Sequence, residues 1–271
     1  MRVLPHFLCM KYICYDKGMK KLIIGNWKMY PSSIKDAKAK FSSIKKVASG
    51  LRNVQTVICP PFVYIGDLRN MVSGHRCVVG VQDIWVENEG AYTGEVSPAM
   101  VASLGIHYSI VGHSERRALG ETDELITKKV IAGVKAGLSV VLCVGEKERD
   151  LDGEYLKLIA EQLTVALRGV SKKDLKQIII AYEPIWAIGK NAVRAATAED
   201  ALEVSISIKK TLAGLYATGA TDVPILYGGS VDVKNAEEFI LKSRVDGLLV
   251  GRVSLDVGSF TEILKKIENL K

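Results

Sequence analysis

Ionisable side chains follow three short apolar runs of this sequence at the point where each run ends. Glu183 comes directly after an apolar run and before Pro184, and His113 and Lys28 follow two other apolar runs. Burying a carboxylate beside an apolar strand costs free energy unless the group is paired or used, so Glu183 is a candidate base for proton transfer. Taken singly, Lys28 also suits a surface lysine, and His113 also suits a hydrogen-bonded structural histidine.

Further polar and small residues occupy equivalent positions after other apolar runs. They are Asn26, Ser114, Glu115, Gly228, Gly229, Ser230, Gly251 and Arg252. Backbone N–H groups at such positions bind phosphate in many β/α barrels, although two glycines alone also suit an ordinary turn. Unrelated surface residues would not be expected to gather at one end of a barrel, so the set predicts a reactive site there with backbone N–H groups for a phosphate group.

Eight short runs rich in branched apolar residues are candidate strands. They are Leu22–Gly25, Thr56–Cys59, Val78–Val81, Tyr108–Val111, Ser139–Val144, Ile178–Tyr182, Ile225–Tyr227 and Gly247–Val250. The runs are nearly all apolar rather than alternating, which is typical of parallel strands that are covered on both faces.

Amphipathic stretches with helical spacing separate these runs. They include Ile34–Ala48 after the possible caps Ser32 and Ser33, Leu125–Ala136, Leu156–Leu167, Ala198–Leu215, Ala236–Leu241 and Phe260–Leu270. Eight strand signals with intervening helices in 271 residues predict a single (β/α)8 TIM barrel, a fold that typically takes about 250 residues. A doubly wound open sheet is the alternative, but no GxGxxG follows the first strand.

Composition narrows the class of protein further. The formal charge is +7, but the lysines are scattered and no basic run interleaves with aromatic residues, so nucleic acid is not an expected partner. Five cysteines without a CxxC pair suit buried thiols in a reducing compartment. No apolar run approaches the roughly 18 residues of a membrane span. We expect Met1–Gly18 to be an extension of a barrel domain at 19–271, or to precede a true start at Met19.

Four stretches closely resemble the triosephosphate isomerase family. They are Gly25-Asn26-Trp27-Lys28-Met29, Ile110-Val111-Gly112-His113-Ser114-Glu115-Arg116-Arg117, Ala181-Tyr182-Glu183-Pro184-Ile185-Trp186-Ala187-Ile188-Gly189 and Tyr227-Gly228-Gly229-Ser230-Val231. The likeness runs from about Lys20 to the carboxyl terminus. The four stretches in this order and at barrel spacing are far more specific than any one of them.

The resemblance implies the interconversion of dihydroxyacetone phosphate and glyceraldehyde 3-phosphate without a metal or cofactor. It implies that Glu183 moves the proton, that His113 polarises the carbonyl group and stabilises the enediolate, and that Lys28 and Asn26 act at the same oxygens. Glu115 would then pair with Lys28 and hold it. The backbone N–H groups of Gly189, Ser230, Gly251 and Arg252 would hold the phosphate.

The resemblance also implies a lid at Pro184–Gly189, which would exclude water from the enediolate. It implies a homodimer through the long loop Gln82–Thr93, which by composition alone is a surface excursion. The cytoplasm is the expected compartment.

Two departures from the family pattern concern the lid and the phosphate site. The lid continues as Lys190–Arg194 instead of the usual Thr-Gly-Lys, and the second glycine after the last strand is replaced by Arg252. Two other functions stay open on sequence grounds. One is a related sugar-phosphate isomerase or lyase, which should lack the set of Lys28, His113 and Glu183, and the other is a non-catalytic phosphate-binding barrel.

Overall fold

The computed structural model describes residues 20–189, 192, 194–217 and 220–270. The segment Met1–Gly18, predicted to be an extension, lies outside these residues. The strands are β1 (Lys21–Asn26), β2 (Val54–Cys59), β3 (Cys77–Val79), β4 (Tyr108–Val111), β5 (Ser139–Val144), β6 (Ile178–Tyr182), β7 (Ile225–Tyr227) and β8 (Gly247–Val250).

The eight strands form one parallel sheet in the order β3-β2-β1-β8-β7-β6-β5-β4. Its two edges, β3 and β4, meet through a single parallel bridge between Val81 and Ser109. The sheet therefore closes on itself, which confirms the predicted (β/α)8 barrel.

Helices cover the outside of the barrel. They are α1 (Ile34–Ala48), α2 (Ile65–Asn70), α3 (Pro98–Ser103), α4 (Ser114–Ala118), α5 (Asp123–Lys135), α6 (Glu154–Ala166), α7 (Ala198–Tyr216), α8 (Ala236–Lys242) and α9 (Val257–Glu268). Ser33 caps α1 by accepting the Asp36 N–H at 3.2 Å, as its sequence position predicts. None of the helices described has the length and apolar character needed to cross a bilayer.

The strands bury side chains on both faces, which explains their nearly continuous apolar sequence. In β1, Leu22 and Ile24 pack inside the barrel, whereas Ile23 packs between the sheet and the helices. The inner cluster also contains Cys59 and Cys143, which are free thiols. The barrel interior is thus filled, and the polar residues that end the strands lie above this core.

Five of the eight predicted strands, β4 to β8, have the predicted bounds. The third prediction, Val78–Val81, was displaced, because β3 ends at Val79 and Val81 makes only the bridge to Ser109. The short helix α2 was not predicted, and it has 6 residues with only two buried side chains. Such a weak apolar stripe gives little helical periodicity to detect.

Candidate active site

The carboxyl ends of β1, β4 and β6 bring three predicted site residues together. Asn26 is the last residue of β1, while His113 and Glu183 follow β4 and β6 within two residues. All three are buried, with exposed fractions of 5%, 7% and 3%. Because parallel strands place their carboxyl ends at one rim of a barrel, residues far apart in sequence become neighbours here.

The Glu183 carboxylate is held by two donors. Its Oε2 accepts the backbone N–H of Ser114 at 2.8 Å, and its Oε1 lies 3.0 Å from Nε2 of His113. Gly228 leaves room for the side chain, since a Cβ at that position would lie 3.2 Å from the Glu183 Cγ. The carboxylate is therefore fixed in place, and both of its oxygens have partners.

The tautomer of His113 follows from its second ring nitrogen. His113 stands at the start of α4, and its Nδ1 accepts the backbone N–H of Glu115 at 3.2 Å. An imidazole nitrogen that accepts a hydrogen bond carries no proton, so the neutral ring carries its proton on Nε2. That N–H points at Glu183 and is the group that would face a bound carbonyl oxygen.

The charged groups of the site shift the pKa values of Glu183 and His113. Burial opposes ionisation of Glu183, but the charge and hydrogen bond of His113, with help from the Ser114 amide and Lys28, lower the pKa of the carboxyl group below its usual value. Burial also opposes the imidazolium form, but Glu183 outweighs it and raises the pKa of His113. The Glu115 amide acts the other way, since a protonated Nδ1 would lose that hydrogen bond.

Lys28 lies beside this pair on a constrained backbone. It has a positive φ of 54°, which is uncommon for a residue with a side chain. Its N–H donates to Oδ1 of Asn26 at 3.0 Å, and its carbonyl oxygen accepts the side-chain amide of Gln82 at 2.8 Å. Its Nζ lies 2.6 Å from Oε1 of Glu115. Asn26 and Gln82 thus hold the Lys28 backbone, and Glu115 holds its ammonium group.

The predicted phosphate-binding residues make fewer contacts with the rest of the site. Gly251 lies next to Lys28, because a Cβ there would be 3.5 Å from the Lys28 Cε. Gly189 has a φ of +82°, Ser230 is exposed, and Arg252 is exposed at the start of a short 3-10 helix. Among the contacts of the described residues, none links Gly189, Ser230 or Arg252 to the acid and base groups.

Glu146 is a second buried carboxylate at this rim, and it was not predicted from the sequence. It is fully buried after β5, and its Oε1 accepts the Tyr182 hydroxyl at 2.8 Å and the Trp186 indole N–H at 2.7 Å. Arg149 donates to the same oxygen at 3.2 Å. The available signal was the one used for Glu183, a carboxylate that follows an apolar strand within two residues.

The segment that follows Glu183 is held to the Glu146 carboxylate by the hydrogen bond from Trp186. Residues 184–189 contain a short 3-10 helix, Ile185–Ala187, whose Trp186 is buried. Of the atypical continuation, Lys190, Asn191 and Val193 lie outside the described residues. Arg194 lies over the Trp186 ring at 4.6 Å and pairs with Asp200. The residue that departs from the family pattern therefore contacts the proposed lid.

A closed parallel barrel with a buried carboxylate, an imidazole and a lysine at the carboxyl ends of its strands has the arrangement of a β/α-barrel enzyme. The sequence model of the triosephosphate isomerase family matches residues 21–267. The chain therefore belongs to the triosephosphate isomerase family, and it is an isomerase of glycolysis.

Curated relatives match over nearly the whole chain. The triosephosphate isomerase of Thermoanaerobacter sp. (strain X514) is 41% identical over 249 residues, which cover 90% of this chain and 98% of the relative. That of Carboxydothermus hydrogenoformans is 42% identical over 252 residues, covering 91% and 98%. That of Fusobacterium nucleatum is 40% identical over 251 residues, covering 91% and 99%.

Proposed function

We propose that this chain interconverts dihydroxyacetone phosphate and D-glyceraldehyde 3-phosphate with Glu183 as the base. The observation that carries the proposal is the contact between Glu183 and His113, in which Oε1 of a buried carboxylate lies 3.0 Å from Nε2 of an imidazole whose Nδ1 accepts the Glu115 N–H. The substrate follows from membership of the family, whose members are named for this reaction.

The first step removes a proton from carbon. The Glu183 carboxylate takes it from the carbon next to the carbonyl group, and the electron pair of the broken C–H bond moves to the carbonyl oxygen. That oxygen replaces Oε1 of Glu183 as the acceptor of the His113 Nε2–H, and the ammonium group of Lys28 offsets the developing charge. The result is an enediolate held between an N–H donor and a cation.

The second step returns the proton to the neighbouring carbon. Glu183 gives back the same proton, while the proton of the substrate hydroxyl group passes to the other oxygen, next to Nε2 of His113. In this proposal Asn26 assists at these oxygens and also holds the Lys28 backbone, while Glu115 holds the Lys28 ammonium group, as their contact supports. We further propose that the backbone N–H groups of Gly189, Ser230, Gly251 and Arg252 bind the phosphate group.

We also propose that residues 184–189 form a lid that excludes water from the enediolate. The hydrogen bond from Trp186 to Glu146 and the stacking of Arg194 on Trp186 support an anchored segment. The cytoplasm is the proposed compartment, supported by the glycolytic role of the family. The free, buried thiols of Cys59, Cys77 and Cys143 fit a reducing environment.

A homodimer through residues 82–93 is part of the proposal. Apolar side chains are exposed at the same end of the barrel, with exposed fractions of 89% for Met29, 79% for Val63 and 43% for Tyr92. Such exposure on one surface favours a protein partner. Light scattering should give twice the chain mass, and replacing Met29 and Val63 by aspartate should give a monomer. A monomeric unmodified chain at micromolar concentration would contradict the dimer.

A coupled assay tests the activity. The purified chain is given D-glyceraldehyde 3-phosphate, and dihydroxyacetone phosphate is followed with a dehydrogenase that reduces it. Turnover is expected, and it should be lost in Glu183→Gln. A correctly folded chain without turnover would favour the non-catalytic barrel, and turnover restricted to another sugar phosphate would favour a related isomerase or lyase.

A further inference from the structure

A cavity of about 360 Å³ opens at the end of the barrel opposite to Glu183. Its walls come from α2, from β3, and from the segments that precede β3 and β4. These segments lie at the amino ends of the strands, whereas the proposed active site lies at the carboxyl ends. The cavity is therefore separate from the site described above, and its volume falls within the range of small-molecule sites.

The cavity arises from the seam that closes the barrel. Strands β3 and β4 are joined by the single bridge between Val81 and Ser109. Two residues before this bridge, the parallel register would place Val79 opposite His107, but β4 begins only at Tyr108. Val79 and His107 both line the cavity. The gap is thus built into the wall of the barrel where the strand pairing is not continued.

Arg69 presents a guanidinium group at this gap. Its Nε donates to the carbonyl oxygen of Leu104 at 2.9 Å. The group lies over Gly105, where a Cβ would be 2.9 Å from Nη2 and where φ is +67°. Within the described part of the chain, no carboxylate lies within 4 Å of Arg69. Its terminal nitrogens therefore keep donors for a ligand.

Two further cations, Lys45 and Arg76, contact or belong to the segment between α2 and β3, which supplies part of the cavity wall. Lys45 donates to the carbonyl oxygen of Met71 at 2.8 Å, and Arg76 donates to that of Ser49 at 3.1 Å. Neither side chain has a carboxylate within 4 Å among the residues that the structure describes. Carbonyl oxygens orient these groups but do not neutralise them, so this end of the barrel keeps a local positive charge.

We infer that this cavity binds a small organic phosphate, with the phosphate group between Arg69, His75 and His107 and the organic part against valine side chains. A guanidinium group matches the oxygens of phosphate with paired N–H donors, and imidazole groups add further donors. Val72, Val78 and Val79 form the apolar part of the wall. The site thus offers both the charge and the apolar surface that a phosphate ester presents.

The titration of His107 supports this arrangement. Burial first, and the nearby charge of Arg69 second, lower the pKa of His107. Arg69 is the charged group that acts on His107, and His75 lines the same cavity. A bound phosphate dianion would offset the repulsion from Arg69, so its binding should raise the pKa of His107. Protonation of this residue and phosphate binding are therefore expected to favour each other.

Histidine NMR tests the inference, because the sequence contains only four histidines. The full chain with ¹⁵N-labelled imidazoles is titrated at constant ionic strength with inorganic phosphate, with propyl phosphate and with chloride. Signals of His75 and His107 should shift with both phosphates and not with chloride. Propyl phosphate should bind about tenfold more tightly, because its alkyl chain contacts the valines.

Three variants distinguish phosphate binding in this cavity from a general effect of positive charge. Arg69→Gln should weaken binding at His75 and His107 by about 10- to 100-fold, and Arg69→Lys should lie between that variant and the unmodified chain. Arg52→Gln, which removes an exposed charge at the same end of the barrel, should change little. Turnover should be unchanged in all three, which also reports correct folding.

Three outcomes would overturn the inference. One is that phosphate shifts only His113, which would place all binding at the proposed active site. A second is that His75 and His107 shift equally in Arg69→Gln and in the unmodified chain. The third is that chloride has the same effect as phosphate, which would indicate screening rather than a site.

Discussion

The Oε1 atom of Glu183 lies 3.0 Å from Nε2 of His113, while Nδ1 of the same ring accepts the Glu115 N–H. One backbone amide thus decides which ring nitrogen carries the proton of the neutral histidine, and the carboxylate faces that N–H. A substrate carbonyl oxygen that enters between the two would meet an N–H donor on one side and a base on the other. This relationship between the two residues is the basis of the proposed proton transfer.

Replacing His113 by glutamine should raise the pKa of Glu183. Burial would still oppose the carboxylate, but glutamine cannot carry the charge by which the imidazolium form of His113 lowers the pKa of Glu183. NMR titration of ¹³C-labelled glutamate carboxyl groups measures the change. A base with a raised pKa is ionised only at higher pH, so residual activity should also need a higher pH. An unchanged or lower pKa in the variant would contradict the electrostatic account.

Replacing Glu183 by aspartate should withdraw the base from the substrate by one methylene group. A displacement of about 1 Å in a positioned group can cost about 10²-fold, so we expect kcat to fall by that order. Competitive inhibition by inorganic phosphate should change less than about threefold, because the phosphate groups are held elsewhere. Equal losses in kcat and in phosphate affinity would indicate a structural role for Glu183.

The pairing of Lys28 with Glu115 should act through position rather than stability. The side chains are 28% and 57% exposed, and exposed ion pairs contribute only about 0–1 kcal/mol to folding. Lys28→Gln should lower kcat/KM by about 10²-fold or more, and Glu115→Gln by about tenfold. The double variant should be no worse than Lys28→Gln, because Glu115 acts through Lys28. Multiplied losses would show that Glu115 acts independently.

A buried ionic cluster beneath this rim should matter for stability instead. Lys129 has no exposed side-chain surface, and its Nζ lies 2.6 Å from both Asp83 and Glu121. Lys129→Met would remove the buried cation and leave Asp83 and Glu121 with the more exposed Arg116, so urea unfolding should show a loss of about 3 kcal/mol. The exposed neighbour on the same helix, Lys128→Met, should stay within about 0.5 kcal/mol. Similar losses in both variants would exclude a special role for the cluster.

The sequence predicted those parts of the fold that depend on local pattern. The strands β4 to β8 are apolar runs bounded by polar or small residues, and their bounds agree with the structure. Glu183 was detectable because a carboxylate directly after such a run is unusual. The same reasoning predicted that His113 and Lys28 share its rim, since the fold fixes where strand ends meet.

Contacts between distant segments could not be predicted from local sequence pattern. Gln82 was assigned to the loop expected at a dimer interface, yet its amide donates to the carbonyl oxygens of Lys28 and Cys59. Arg194 was noted only as a departure from the family, and its stacking on Trp186 depends on how two segments fold back together. The end of β3 was misplaced for the same reason, because pairing across the barrel seam decides it.

Hydrogen exchange at carbon tests the role of Glu183 most directly. Dihydroxyacetone phosphate is incubated with enzyme in D₂O, and the loss of the carbon-bound proton is followed by NMR. The unmodified chain and the control Glu148→Gln, an exposed glutamate after β5, should exchange this proton at similar rates. Glu183→Gln keeps the shape but cannot take a proton, so its exchange rate should fall by about 10²- to 10⁴-fold. Exchange at the unmodified rate in Glu183→Gln would show that another group is the base.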